Sequence, residues 1–160
     1  MRKIFGSVFV VLALGLLFGI PAVAAPNPPV VVDSTFDLPA NFFAPGQCAF
    51  PVRLSLAGKG KTIALPSGAF IFTSPGLNAT VTNLNTSSEV TLNVTGAFHQ
   101  TTEANGDVVT VATGRNLLGD PVAGFVLAIG NFSFVFDAGG NLIQPLAGMG
   151  TLTDICGLIE

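Results

Sequence analysis

The sequence contains neither tryptophan nor tyrosine, although it contains 14 phenylalanines. Tryptophan and tyrosine combine an apolar ring with a polar group, and proteins use them where a ligand or partner is held at a hydrated surface. Phenylalanine mainly fills hydrophobic cores. The composition therefore argues against a carbohydrate-binding module that stacks sugar rings on exposed aromatic side chains, and it assigns the aromatic residues to the interior.

Charged residues are also scarce, and the basic ones are the scarcer: six lysines and arginines stand against nine aspartates and glutamates. Two of the six, Arg2 and Lys3, lie at the extreme N-terminus. Binding to nucleic acid or to an anionic membrane requires a cluster of cationic side chains. We therefore expect no nucleic-acid partner, and most solvent-facing positions must be filled by Thr, Ser, Asn and Gly.

His99 is the only histidine, which limits the available catalytic chemistry. It would have to serve any Ser-His-Asp or Cys-His arrangement, yet no Gly-x-Ser-x-Gly motif accompanies it. A zinc site needs several ligands around one point, and the His-Glu-x-x-His motif is missing. The sequence therefore predicts no catalytic residue, no metal ligand and no cofactor.

The first 24 residues predict export. Arg2 and Lys3 precede an apolar run over residues 4–20, and the small residues Ala22 and Ala24 supply a cleavage site. This is the order of a secretory signal peptide. The run is interrupted by glycines and is shorter than the roughly 20 residues of a membrane-spanning helix. We expect a secreted, extracellular product with no stable membrane anchor after cleavage.

Cys48 and Cys156 are the only cysteines. An exported chain enters an oxidising compartment, in which two cysteines pair. Neither has a second cysteine or a histidine at the spacing of a zinc site. The sequence therefore predicts a Cys48–Cys156 disulfide that joins the two ends of the folded domain.

Apolar and polar residues alternate in many short runs, and no helical period extends over ten or more residues after the signal peptide. Alternation with a period of two is typical of strands that are buried on one face. Roughly ten such runs, separated by turns rich in Gly, Pro and Asn, predict an all-β fold: a single antiparallel β-sandwich or a small β-barrel. We place a signal peptide at residues 1–24, an extended Pro-rich leader at 25–47 and the β domain at 48–160.

Two Asn/Gly pairs predict hairpin turns between strands. Asn105 and Gly106 separate the strand-like runs 98–103 and 108–113, and Asn-Gly between such runs is a strong hairpin signal. Gly130 and Asn131 predict a second hairpin in the same way. Further expected features are a short edge strand at residues 30–32, turns at 58–61 and 137–141, separate strands at 142–144 and 151–156, and three phenylalanines on one face of residues 132–136.

Several motifs resemble those of a protein family. They are Thr-Gly-Arg-Asn-Leu-Leu at residues 113–118, Asn-Leu-Asn-Thr-Ser-Ser at 83–88, the Asn-Gly turn, and the ending Thr-Asp-Ile-Cys-Gly-Leu-Ile-Glu at 153–160. Together they resemble a family of short secreted proteins of unknown function from filamentous Gram-positive bacteria. The resemblance implies export, the disulfide and a β fold, and it implies no catalytic residue.

The last predicted strand, residues 151–156, contains one conflict. If Leu152 and Cys156 face the core, two-residue alternation places Asp154 there as well, and a buried carboxylate needs a partner. Arg115 is the candidate for a structural ion pair, because its planar guanidinium can hold a carboxylate with two hydrogen bonds. The alternative is an exposed Asp154 on a terminal strand whose alternation has slipped.

These observations favour a noncatalytic module that binds an unknown extracellular or cell-surface ligand. A first alternative is a small barrel that carries an apolar ligand, which requires the phenylalanine rings to line a cavity rather than to close the interior. A second alternative is a secreted hydrolase that uses Asp or Glu side chains. It requires two carboxylates that converge in a cleft, for which the sequence offers the pairs Asp33/Asp37 and Glu103/Asp107.

The disulfide generates a first prediction. Denatured, unreduced protein should contain no free thiol, and Cys48→Ala should lower the free energy of unfolding by roughly 4–5 kcal/mol, the loop-entropy value for a closed loop of about 100 residues. Thiol titration in denaturant and urea unfolding curves measure the two effects. Two titratable thiols in native secreted material would contradict the prediction.

Overall fold

The computed structural model describes residues 28–42 and 48–160. The predicted signal peptide, residues 1–24, lies outside them. Regular structure in the described ranges consists of nine strands and one 3-10 helix, and none of their helical segments is long and apolar enough to span a bilayer. The all-β prediction is confirmed. The elements are β1 (Val30–Leu38), β2 (Val52–Ala64), β3 (Phe70–Thr73), β4 (Asn78–Asn83), β5 (Glu89–Asn93), β6 (Gly96–Thr102), β7 (Val108–Asp120), β8 (Gly124–Phe136), β9 (Leu142–Asp154) and the helix Cys156–Leu158.

All pairings in the nine-stranded sheet are antiparallel, in the order β5-β4-β2-β3-β6-β7-β8-β9, with β1 paired to β2. The first part of β2 lies between β1 and β4, whereas its last residues pair with β3. We call β1, β4, β5 and the first part of β2 the small half of the sheet, and the remainder the large half. The end strands β5 and β9 do not pair with each other, so the described strands form an open, folded sheet.

β2 continues through residues 58–61, where the sequence predicts a turn. Gly58 has a φ of +150°, and a Cβ there would lie 2.4 Å from the Gly76 carbonyl oxygen and 2.6 Å from the Leu77 Cα. Only glycine tolerates this conformation and this close approach of two backbones. The predicted turn was wrong because β2 bends at Gly58 and changes its partner from β4 to β3 without ending.

The hairpin predicted at Gly130 and Asn131 is also wrong, because β8 is continuous from Gly124 to Phe136. Gly130 is in register with Gly114 of β7 and Gly150 of β9. A Cβ at Gly130 would lie 2.3 Å from the Met149 carbonyl oxygen. The glycine therefore permits close contact between two strands inside the sheet, and the actual β7–β8 turn lies between Asp120 and Gly124.

The turn predicted at Asn105 and Gly106 is confirmed. The Glu103 N–H donates to the Asp107 carbonyl oxygen over 2.8 Å, and Gly106 has a φ of +89°. The turn between β8 and β9 is confirmed by a hydrogen bond of 2.8 Å from the Asp137 N–H to the Asn141 carbonyl oxygen. Short polar turns are set by local backbone chemistry, which explains why the sequence locates them well.

Two predicted boundaries differ from the structure. The short edge strand expected at residues 30–32 is part of β1, whose nine residues pair with β2 inside the segment assigned to the leader. The strands expected at residues 142–144 and 151–156 are parts of β9, which ends at Asp154. The ordered sheet thus begins before residue 48 and ends before Cys156.

The hydrophobic core consists of two clusters. The first joins the small half to β8 and the C-terminus, and the second lies on the large half. Phe132 and Phe134 are buried in the second cluster, Phe136 packs against it, and the rings of Phe134 and Phe136 meet edge to face at 5.8 Å, which confirms that the three phenylalanines share one face. The first cluster contains Cys48, Val52, Leu54, Leu77, Ala79, Val81, Leu92, Val94, Phe125, Leu127, Ile155, Cys156 and Ile159, and the second contains Phe98, Ala112, Leu118, Val126, Ala128, Phe132 and Phe134.

The Cys48–Cys156 disulfide is confirmed. It connects the residues before β2 to the helix after β9 over a sequence separation of 108, and both cysteines are buried in the first cluster. Ile155 and Ile159, on either side of Cys156, are fully buried. The bond therefore fixes the C-terminal segment against the small half of the sheet.

The packing of β8 generates a second prediction. Phe134→Ala should lower the free energy of unfolding by about 3–5 kcal/mol, because a buried ring is replaced by a void. Ser133→Ala is the matched control on the opposite face, and its cost should stay below about 1 kcal/mol because its hydroxyl makes only one long, exposed hydrogen bond. Urea unfolding measures both, and equal effects would show that the assigned facing of β8 is wrong.

Candidate functional site

An apolar cavity of about 70 Å³, partly open to solvent, lies between the two core clusters. Its apolar lining residues come from both clusters or pack against them. The lining includes five phenylalanine rings, so these rings border an empty space rather than close the interior. The lining consists of Leu54, Leu56, Phe72, Ser74, Leu77, Val94, Phe98, residues 116–120, Phe125, Phe134, Phe136, Leu142 and Leu146.

The folded sheet brings these residues together. Leu54 and Leu56 precede the bend in β2, whereas Phe72 lies on β3, which pairs with β2 beyond the bend. The end of β7 contributes a continuous wall over residues 116–120, and β8 follows directly with Phe125. The cavity thus lies where the two halves of the sheet diverge, and no single strand could form it.

Two of the polar residues in the lining are neutral and satisfied by the backbone. The Ser74 hydroxyl donates to the Val94 carbonyl oxygen over 2.7 Å and accepts the Gly96 N–H over 3.1 Å. The Asn116 amide donates to the Thr113 carbonyl oxygen over 2.9 Å. These contacts hold both side chains in place at the junction of the two halves.

Asp120 is the third polar side chain of the lining, and it is only 5% exposed. Its Oδ1 accepts the N–H groups of Val122 and Ala123 over 2.8 and 2.7 Å, which closes the β7–β8 turn. Its Oδ2 accepts the Leu146 N–H over 3.0 Å, which ties that turn to β9. Backbone dipoles therefore stabilise this buried carboxylate.

Asp120 is not among the residues predicted from the sequence, although the sequence contains a signal for it. The predicted strand stopped at Thr113, whereas β7 extends to Asp120. Continuing the two-residue alternation would have placed Asn116 and Asp120 on the same face as the buried Leu118. Asp120 precedes Pro121, and an Asp-Pro pair is by itself an ordinary turn signal.

The structure does not form the predicted ion pair between Arg115 and Asp154. Asp154 is exposed, and its carboxylate oxygens accept the Cys156 and Gly157 N–H groups over 3.0 and 3.2 Å. Arg115 donates from Nε to the Asn93 carbonyl oxygen over 3.0 Å. Asp154 of β9 is in register with Val126 of β8, which is in register with Leu118 of β7. Arg115 precedes Leu118 by three residues, so it is displaced along β7 and its side chain lies on the face of the sheet opposite to Asp154.

The ion pair was predicted wrongly because β9 ends earlier than the predicted strand. A buried Asp154 requires the alternation to continue to Cys156, but the strand ends at Asp154 and Cys156 belongs to the 3-10 helix. β9 is also an edge strand on which Leu152 is exposed. The alternative that the sequence left open, an exposed Asp154, describes the structure.

The acidic pairs suggested for a hydrolase lie outside the cavity lining. Asp37 binds Arg53 through two hydrogen bonds of 2.7 and 2.8 Å. The hydrogen bond from Arg53 holds the pKa of Asp37 below its usual value, and the same contact raises the pKa of Arg53. Glu103 and Asp107 close the exposed β6–β7 turn. Among the described residues that line the cavity, Asp120 is the single carboxylate.

Other polar side chains on the surface form contacts between neighbouring strands of the sheet. Thr35, Ser55, Thr80 and Thr91 form a row across the small half, with hydroxyl contacts of 3.1 Å between the first two and 2.9 Å between the last two. Such cross-strand pairs stabilise sheets. His99 is exposed on β6, and no group of three or more potential metal-ligating side chains occurs within the described ranges.

The contacts of Asp120 generate a third prediction. Asp120→Ala should lower the free energy of unfolding by at least about 2 kcal/mol, because three backbone N–H groups lose a charged acceptor. Asp137→Ala is the matched control: Asp137 also accepts two backbone N–H groups in a turn, but these hydrogen bonds are exposed, so water replaces the carboxylate. Urea unfolding compares the two, and equal losses would show that Asp120 has no special structural role.

Comparisons with protein-family models, with curated proteins and with solved structures find no match to this chain. The function must therefore be inferred from the site itself. That site is a small, mainly apolar cavity with one buried carboxylate and two satisfied neutral side chains.

Proposed function

We propose that this protein is a secreted, noncatalytic binding protein that holds a small apolar ligand in the cavity between its two core clusters. The observation that carries the proposal is the lining by five phenylalanine rings, because a carrier of an apolar ligand requires rings that line a cavity. Ligand sites are typically concave and apolar with a few fixed polar groups. The cavity has this composition.

The size of the cavity limits the ligand. Its volume of about 70 Å³ is roughly half that of an engineered cavity of about 150 Å³ that binds benzene. The space therefore accommodates a short aliphatic group of a few carbons. Because the cavity is partly open, the remainder of a longer ligand can extend into solvent.

The surroundings of the cavity favour a preformed site. The disulfide fixes the C-terminal segment to the first cluster, and Asp120 ties the β7–β8 turn to β9. A rigid site loses little conformational entropy when a ligand binds, which favours affinity for a small molecule. The signal-peptide pattern and the disulfide both support an extracellular location for this binding.

Binding of pentane to the folded protein provides the fourth prediction. Methyl NMR spectra should show saturable shifts for the lining residues Leu54, Leu77, Leu118 and Leu146, and no shift for the exposed Leu152 and Leu158. Leu118→Phe should abolish the shifts of the other lining residues, because the larger side chain occupies the cavity. Leu152→Phe is the matched control and should bind pentane as the unmodified protein does.

Two outcomes would contradict the proposed function. One is the absence of saturable shifts at every lining leucine. The other is equal binding of pentane by Leu118→Phe and by Leu152→Phe, which would place the ligand elsewhere on the molecule. The thermal unfolding of each variant verifies that a loss of binding does not arise from a loss of fold.

A further inference from the structure

Asp120 places a buried negative charge in the wall of an apolar cavity. A carboxylate offers about four acceptor positions, two on each oxygen. Oδ1 uses both of its positions for Val122 and Ala123, whereas Oδ2 uses one for Leu146. Leu146 lines the cavity. Oδ2, the oxygen with one acceptor position remaining, is therefore hydrogen-bonded to the backbone of a residue in the cavity wall.

No cation of the described chain compensates this charge. The ion pair among the described residues joins Arg53 to Asp37 on the surface, and Arg115 donates to the Asn93 carbonyl oxygen. All three hydrogen bonds to Asp120 come from backbone N–H groups, whose positions are fixed by the turn and by β9. Oδ2 already accepts one hydrogen bond, and its second acceptor position gains another only from a ligand that carries a donor.

We propose that the ligand of this cavity carries a hydrogen-bond donor, a hydroxyl or an ammonium group, on its short apolar body, and that Asp120 Oδ2 accepts the hydrogen bond from that donor. This inference rests on the proposed function, because it names the chemical class of the ligand that the cavity holds. Asp120 is then the residue that determines specificity, while the leucine and phenylalanine side chains supply apolar contact.

The requirement for a hydrogen-bond donor gives different affinities to ligands that an apolar cavity alone would bind equally well. A ligand with only acceptor atoms cannot donate a hydrogen bond to Oδ2, so it binds more weakly than an alcohol of the same size. A ligand with a carboxylate head also meets electrostatic repulsion from Asp120. Short primary alcohols and amines meet both requirements, because their alkyl chains match the apolar lining and their head groups donate to the Asp120 carboxylate.

The experiment compares hexanol with methyl pentyl ether, which has the same number of heavy atoms and an oxygen but no donor. Affinities are measured by methyl NMR titration of the full chain. The unmodified protein should bind hexanol about tenfold more tightly than the ether, the factor expected for a hydrogen bond to a charged acceptor. Hexylamine should bind at least as tightly as hexanol, and hexanoate should bind more weakly than the ether.

Asp120→Asn and Asp137→Asn form a matched pair of variants. The amide introduced by Asp120→Asn retains an oxygen for the Val122 and Ala123 N–H groups but presents an N–H in place of an acceptor, so the preference for hexanol over the ether should fall to about equal affinity. Asp137 lies in an exposed turn outside the cavity, so its variant should keep the full preference. Proton NMR spectra verify the fold of each variant.

The outcomes distinguish the two proposals. Equal binding of hexanol and the ether by the unmodified protein would overturn the donor inference and leave the apolar-ligand function standing. Failure of every probe, including pentane, to bind would overturn the function itself. If Asp120→Asn does not fold, the comparison of hexanol, the ether and hexanoate on the unmodified protein still decides the inference.

Discussion

β2 changes its partner at Gly58, and both halves of the sheet depend on this bend. The Gly58 backbone contacts Gly76 and Leu77 so closely that no side chain fits between them. Before the bend β2 packs Val52 and Leu54 into the first cluster, and beyond it β2 pairs with β3. The cavity lies between the two clusters because one continuous sheet is folded onto itself at this point.

The C-terminal segment closes the fold on the side of the first cluster. Cys156 is bonded to Cys48, and the Asn83 amide donates to the Ile159 carbonyl oxygen over 3.0 Å. Asp154 accepts two N–H groups of the final 3-10 helix and so directs the chain from the edge strand back to the core. The disulfide and the Asn83 hydrogen bond join residues far apart in sequence and hold the C-terminal segment against the first cluster.

Asp120 links the stability of the fold to the chemistry of the cavity. Its carboxylate closes one turn, holds an edge strand and lines the cavity, so the same buried charge that stabilises the fold also sets the polarity of the site. A charge in this position has a structural cost unless hydrogen bonds satisfy it. Three backbone N–H groups supply such hydrogen bonds, and the remaining acceptor position on Oδ2 is the basis of the ligand selectivity that we propose.

The sequence by itself determined the features that depend on local chemistry: the alternation that buries Phe134, the turn at Gly106 and the pairing of the only two cysteines. It did not determine features that depend on which strands meet. In a sequence, a glycine is compatible with a turn and with a close contact between two strands. The glycine at position 58 was therefore predicted to lie in a turn, although it lies at a bend within β2. The position of Asp120 required the extension of β7 and its contact with β9, because a cavity is a property of distant residues brought together and has no local pattern.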